Sequence, residues 1–128
     1  MKKVMVAGTF DIIHPGHLHF FEQAKAHGDH LSVVVSHDCR GKPGVRHSQQ
    51  ERVWAVSVLS MVDEVVKGSD GDMFDILKQV QPHVLCLGYD QNVDDVKVQQ
   101  FVNENGLSTQ IVRCQAHMPE LFKSSLLR

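Results

Sequence analysis

Short apolar runs alternate with amphipathic stretches along nearly the whole chain, and that alternation limits the fold more than any other feature. Val4 to Ala7 is continuous and apolar, as a strand buried on both faces must be. Leu31 to Val35, Val62 to Val66, His83 to Leu87 and Gln110 to Val112 read as four more strands, the first of them rich in β-branched residues. The stretches between them follow helical spacing. Leu18 to Ala26 opens a helix that runs to about His27, with Gly28 as its stop. Ser48 and Glu51 form a Ser-x-x-Glu capping box, which predicts a helix to about Ser60 with Ala55, Val56 and Leu59 inward. Met73, Ile76, Leu77 and Val80 fall at i, i+3, i+4 and i+7, and Pro82 ends that stripe. Asn92 to Asn105 is the last helix, with Val98, Phe101 and Val102 inward and Gly106 as its stop. Strands that alternate with helices predict an α/β fold: an open parallel sheet of about five strands, right-handed crossovers and helices on both faces.

A length of 128 residues fits one domain, 1–128, with a core that needs no disulfide or metal staples. The net charge of −2 is spread along the chain with both signs mixed, so neither a nucleic-acid surface nor a basic membrane patch is expected. No apolar run approaches the ~20 residues that span a bilayer. The chain enters a strand at once, so no signal peptide is expected. The three cysteines are far apart and include no C-x-x-C pair, which fits a reduced, cytoplasmic setting. Cys86 reads as core, whereas Cys39 and Cys114 lie among more polar residues.

Chemistry concentrates in Gly8-Thr9-Phe10-Asp11-Ile12-Ile13-His14-Pro15-Gly16-His17. A strand ends, a tight turn follows, and a helix begins. A helix start exposes backbone N–H groups and the positive end of the peptide dipoles, which suits phosphate. Pro15 fits a first helical position, and Gly16 lets a ligand approach the backbone. His17 shares a face with Phe20, Phe21 and Ala24, so it points toward the sheet edge. In open α/β sheets ligands bind at the carboxyl ends of the strands, where this stretch lies. His14, His17 and the N–H groups around Thr9 and Phe10 are suitable donors for charge that develops on phosphate oxygens. Two histidines alone could instead be polar turn residues, and a zinc site would need further ligands that this neighbourhood lacks.

Other residues join at the same edge. The loop Ser36 to His47 carries Lys42 among several cations that can reach a triphosphate, or that simply face water. Arg52, in the first turn of its helix, suggests an anionic partner or a structural carboxylate, because a cation there is unfavourable by itself. Asp90 follows the fourth strand and can accept hydrogen bonds from a ribose or base, or cap the next helix. Trp54, Tyr89 and Phe122 are candidates for stacking on a ring, and equally for core. Neither a Walker A loop nor a Gly-x-Gly-x-x-Gly turn occurs, which removes two common ways of holding phosphates.

Gly8-Thr9-Phe10-Asp11 followed by His14-Pro15-Gly16-His17 resembles the signature of the cytidylyltransferase-like nucleotidyltransferases. The resemblance implies a Rossmann-like fold and an enzyme that attaches a nucleoside monophosphate to a phosphorylated acceptor and releases pyrophosphate. It implies His14 and His17 as catalytic residues, and Thr9, Phe10, Pro15, Gly16 and Asp90 with them around the nucleotide. Phe122 to Arg128 resembles the family's second signature, which implies that Ser124 and Ser125 meet the β- and γ-phosphates; Lys123 departs from its usual Ser. Asp11, Lys42 and Arg52 are secondary phosphate or acceptor contacts. Gly41-Lys42-Pro43, Gln50-Glu51-Arg52 and Leu87-Gly88-Tyr89-Asp90-Gln91 resemble archaeal FAD synthases, which transfer AMP from ATP to FMN. By that likeness His117 stands where a nucleotide-contacting Tyr is common, and Ser60 where a basic residue is common. The alternative acceptor is glycerol 3-phosphate with CTP as donor. The likeness further implies a divalent cation, Mg²⁺, bridging phosphate oxygens, and a homodimer; no side chain is assigned as its ligand, though the Asp90 carboxylate could help hold a metal. A nucleotide-sensing module without activity and a zinc hydrolase built on the nine histidines are rival readings, opposed by the intact His pair and by the scattered spacing respectively.

Overall fold

The computed structural model describes residues 1–37, 46–68, 73–88, 91 and 93–115. Lys42, Asp90, His117, Ser124 and Ser125, with Cys39, Tyr89 and Phe122, lie outside the described residues.

The chain runs β1 (Lys3–Gly8), α1 (Pro15–Lys25), β2 (His30–Val35), α2 (Gln49–Ser57), β3 (Glu64–Lys67), α3 (Met73–Val80), β4 (Val84–Leu87), α4 (Asp95–Glu104) and β5 (Gln110–Arg113). Among the described residues the five strands are all parallel, in the order β3-β2-β1-β4-β5. The central strand is the apolar one: Val4, Met5 and Val6 are fully buried. Its alternate side chains feed two cores. Val4 and Val6 join Leu31, Val33, Val35, Phe21 and Ala24 of α1, and Val56 of α2 on one face. Met5 joins Val34, Leu85, Ile76 and Leu77 of α3, and Val98 of α4 on the other. Helices therefore cover both faces, as the periodicity requires. No helix among the described residues is long and apolar enough to cross a membrane.

The element ends differ from the sequence reading by a few residues. The third strand begins at Glu64 rather than Val62, and α2 stops at Ser57, near Ser60. The last helix starts after Asp94, whose carboxylate caps the N–H groups of Val96 and Lys97, so it begins later than Asn92. The Ser48–Glu51 capping box forms in both directions, at 3.2 and 3.1 Å.

The expected inner face of α2 forms around buried Val56, with Leu59 packed half-buried against the same core, and the buried Arg52 joins it. Trp54, read as a stacking ring or as core, is 66% exposed and so not core. One burial expectation is corrected. Cys114 is buried, not polar-lined. Its N–H donates to the Leu87 carbonyl (2.8 Å) and prolongs the β4–β5 ladder by one residue. That turns its thiol inward to a hydrogen bond with Cys86, which, with burial, pushes the Cys86 thiol far up.

Candidate active site

The residues that the sequence marks for chemistry, among those described, gather at the carboxyl edge of the sheet, beyond Gly8. The chain leaves β1 through Phe10, a non-glycine residue in the left-handed region at φ 51°. Such a conformation costs about 1–3 kcal/mol. Burial of the Phe10 ring offsets it, by roughly 1.5–3 kcal/mol. The ring folds back over Gly8, where a Cβ would come within 2.8 Å of its Cζ. It also packs edge-on to Phe21 at 5.2 Å and to His17 at 5.5 Å between centroids.

His14 is the N-cap of α1, and Pro15 is its first residue. The two histidines form a reciprocal cap. The Gly16 N–H donates to His14 Nδ1 at 3.0 Å, and the His14 N–H donates to His17 Nδ1 at 3.2 Å. Their rings lie 3.9 Å apart, tilted by 31°. Each ring accepts at Nδ1, so each neutral ring carries its proton on Nε2. The helix start is thus used differently from the simple expectation of bare N–H groups. Gly16 donates to the His14 ring and His17 to the His14 carbonyl (2.9 Å), so both N–H groups are engaged within the turn and Nε2–H is the donor that each neutral ring carries. Gly16 is needed for space as well: a Cβ there would lie 2.8 Å from His14 Cε1.

Asp11 and Arg52 frame this corner. The Asp11 carboxylate accepts from the Arg46 N–H (3.1 and 3.0 Å) and the His47 N–H (2.9 Å). The Arg46 N–H is the main reason that its carboxyl is held below the ordinary value near 3.8; the His47 N–H and the Arg52 charge add to it. Arg52 is 1% exposed. Its guanidinium donates to the Thr9 carbonyl (2.9 Å), Ser36 Oγ (3.2 Å) and the His47 carbonyl (3.1 Å). Read in sequence as phosphate or acceptor contacts, Asp11 and Arg52 in the structure tie the turn after β1 to the segment before α2.

The sequence reading missed three polar side chains at this edge. Gln49 donates to the Gly68 and Val35 carbonyls across β2 and β3. Gln91 and Arg113 perform a similar task around β4. For Gln91 and Arg113 the available signal was position alone, a long polar side chain beside the end of a strand; Gln49, the first residue of α2, carried no such signal. Among the described residues no group of three or more His, Cys, Asp or Glu could hold a metal ion.

A model of the cytidylyltransferase-like family matches residues 5–128. The chain belongs to the cytidylyltransferase-like family. Its relatives include the FAD synthase of Archaeoglobus profundus, 41% identical over 118 residues, which are 91% of this chain and 76% of that one. The FAD synthase of Picrophilus torridus is 37% identical over 130 residues, 98% of this chain and 93% of that one. Among solved structures, a protein of Thermoplasma volcanium described as a lipopolysaccharide core biosynthesis protein superposes with a TM-score of 0.87. It is 36% identical, over 91% of this chain and 98% of its own.

Proposed function

We propose that this family member is an FAD synthase, which transfers AMP from ATP to FMN and releases pyrophosphate. The observation that carries the reading is the reciprocal imidazole cap at the carboxyl end of the central strand, in a chain whose relatives are FAD synthases at 35–41% identity. In this reaction an FMN phosphate oxygen attacks the α-phosphorus of ATP. A new P–O bond forms, the bond to the bridging oxygen of the β-phosphate breaks, and its electron pair leaves with pyrophosphate. The nucleophile is already ionised, so no general base is required. The task is to hold two anions together and to stabilise charge in flight. The Nε2–H groups of His14 and His17 are preset donors for that charge, and the cap fixes them before substrate arrives.

Mg²⁺ belongs to this reading as the counter-ion of the nucleotide. In this reading the cation is held largely by substrate phosphates. A homodimer is part of the same proposal, and a monomeric mass in sedimentation would remove it.

The test is direct. Protein with FMN, ATP and Mg²⁺ is expected to yield FAD and pyrophosphate, and none after chelation. CDP-glycerol from CTP and glycerol 3-phosphate, with no FAD, would overturn the choice of substrates. Tight nucleotide binding without pyrophosphate release from any acceptor would overturn catalysis itself.

A further inference from the structure

Strands β1 and β4 meet where the strand order reverses, which is where open α/β sheets place their ligand crevice. Their pairing is short. It covers Val4↔Val84 and Met5↔Leu85, whereas β1 pairs with β2 over all six residues from Lys3 to Gly8. Past Met5 the side chain of Gln91 stands in for the ladder. Its Nε2 donates to the Ala7 carbonyl at 2.8 Å, and its Oε1 accepts from the Gly88 N–H at 2.7 Å. The spacing of the two strands at the mouth is therefore set by one amide.

The backbone that carries that amide is itself held. Arg113, the last residue of β5, donates through Nη1 to the carbonyls of Gly88 (2.8 Å) and Gln91 (2.9 Å). Through Nη2 it donates to the Val93 carbonyl (2.8 Å) and to the Asp95 carboxylate. One rigid, planar group thus fixes three carbonyls of the β4–α4 connection. A lysine ammonium has neither that plane nor that reach. Charged donors make the stronger kind of hydrogen bond, and order supplied in advance is order that a ligand need not impose on binding.

We propose that Arg113 is a positioning residue for the nucleotide: through Gln91 it presets the β1–β4 mouth at Ala7, one residue before Gly8 and two before Thr9, without touching the substrate. This rests on the nucleotidyltransferase reading above. His14 and His17 are anchored by their own cap on α1, separately from this clamp. Losing the clamp should therefore weaken nucleotide binding and leave the chemical step largely intact.

The experiment compares wild type with Gln91→Leu, Arg113→Ala and Arg113→Lys. It measures ATP binding in Mg²⁺ by calorimetry, together with KM and kcat for FAD formation. Gln91→Leu and Arg113→Ala are expected to raise the Kd and KM for ATP at least tenfold, with kcat within about threefold. Arg113→Lys should fall between wild type and Arg113→Ala. Wild-type ATP affinity in Gln91→Leu, or a lowered kcat at unchanged KM, would overturn the clamp and leave the enzymatic reading standing. If Arg113→Ala does not fold, Gln91→Leu decides alone. A wild-type protein that neither binds ATP nor makes FAD overturns both.

Discussion

Replacing Gly16 with alanine should separate folding from catalysis at this site. A Cβ on Gly16 would lie 2.8 Å from His14 Cε1 and 3.0 Å from its Nδ1, against ordinary contact from 3.4 Å. The imidazole must therefore retreat by about 0.6 Å, the difference between 3.4 and 2.8 Å. The same Nδ1 accepts the Gly16 N–H, so the cap lengthens or breaks. Loss of a helix N-cap costs about 0.5–2 kcal/mol. Alanine returns up to about 1 kcal/mol of helix propensity over glycine. The two nearly cancel, and Tm should stay within roughly 5 °C of wild type. Catalysis has no such compensation. A donor displaced by a large fraction of an ångström can cost on the order of 100-fold in rate. The assay is FAD formation at saturating ATP and FMN, beside a thermal melt of the same preparation. A Gly16→Ala protein with wild-type melting and wild-type kcat would refute the reasoning, because the His14 ring would then not need its present place.

Three further outcomes follow from the same geometry. His17→Ala should lower kcat by about two to three orders of magnitude, as expected for one lost preset donor, with a smaller effect on ATP affinity; turnover of the folded variant checks it. Arg52→Met removes the buried guanidinium that bonds the part-buried Thr9 and His47 carbonyls, and should cost about 1–3 kcal/mol, read as a Tm lower by several degrees. Asp11 has a lowered folded pKa, so its contribution to stability is complete above its unfolded value of ~3.9 and is lost as pH falls through the folded one. Asp11→Asn should therefore flatten the acid side of the stability profile, and denaturant melts between pH 2 and 6 would show no such flattening if the Arg46 and His47 anchors carry no weight.

The parts legible from amino-acid order were those that arise between near neighbours along the chain. Strand and helix periods, the Ser48–Glu51 box and the Pro15 helix start are all relations within a few residues, and each forms in the structure. The count of five strands and the covering of both faces followed from the same local periods. The histidine pair was legible as a motif for the same reason, since His14 and His17 are three residues apart. That His14 spends Nδ1 on the Gly16 N–H and His17 spends its own on the His14 N–H was not legible, because ring orientation depends on Phe10 and on the missing Cβ of Gly16. Tertiary structure alone decided the remainder. Asp11 meets the Arg46 N–H, 35 residues away, and Arg52 meets the Thr9 carbonyl, 43 residues away. Gln91 reaches the Ala7 carbonyl across 84 residues. Such partners are backbone groups with no side-chain signature, so nothing in the amino-acid order names them. Only the sheet order, which sets β1 between β2 and β4, brings those ends together.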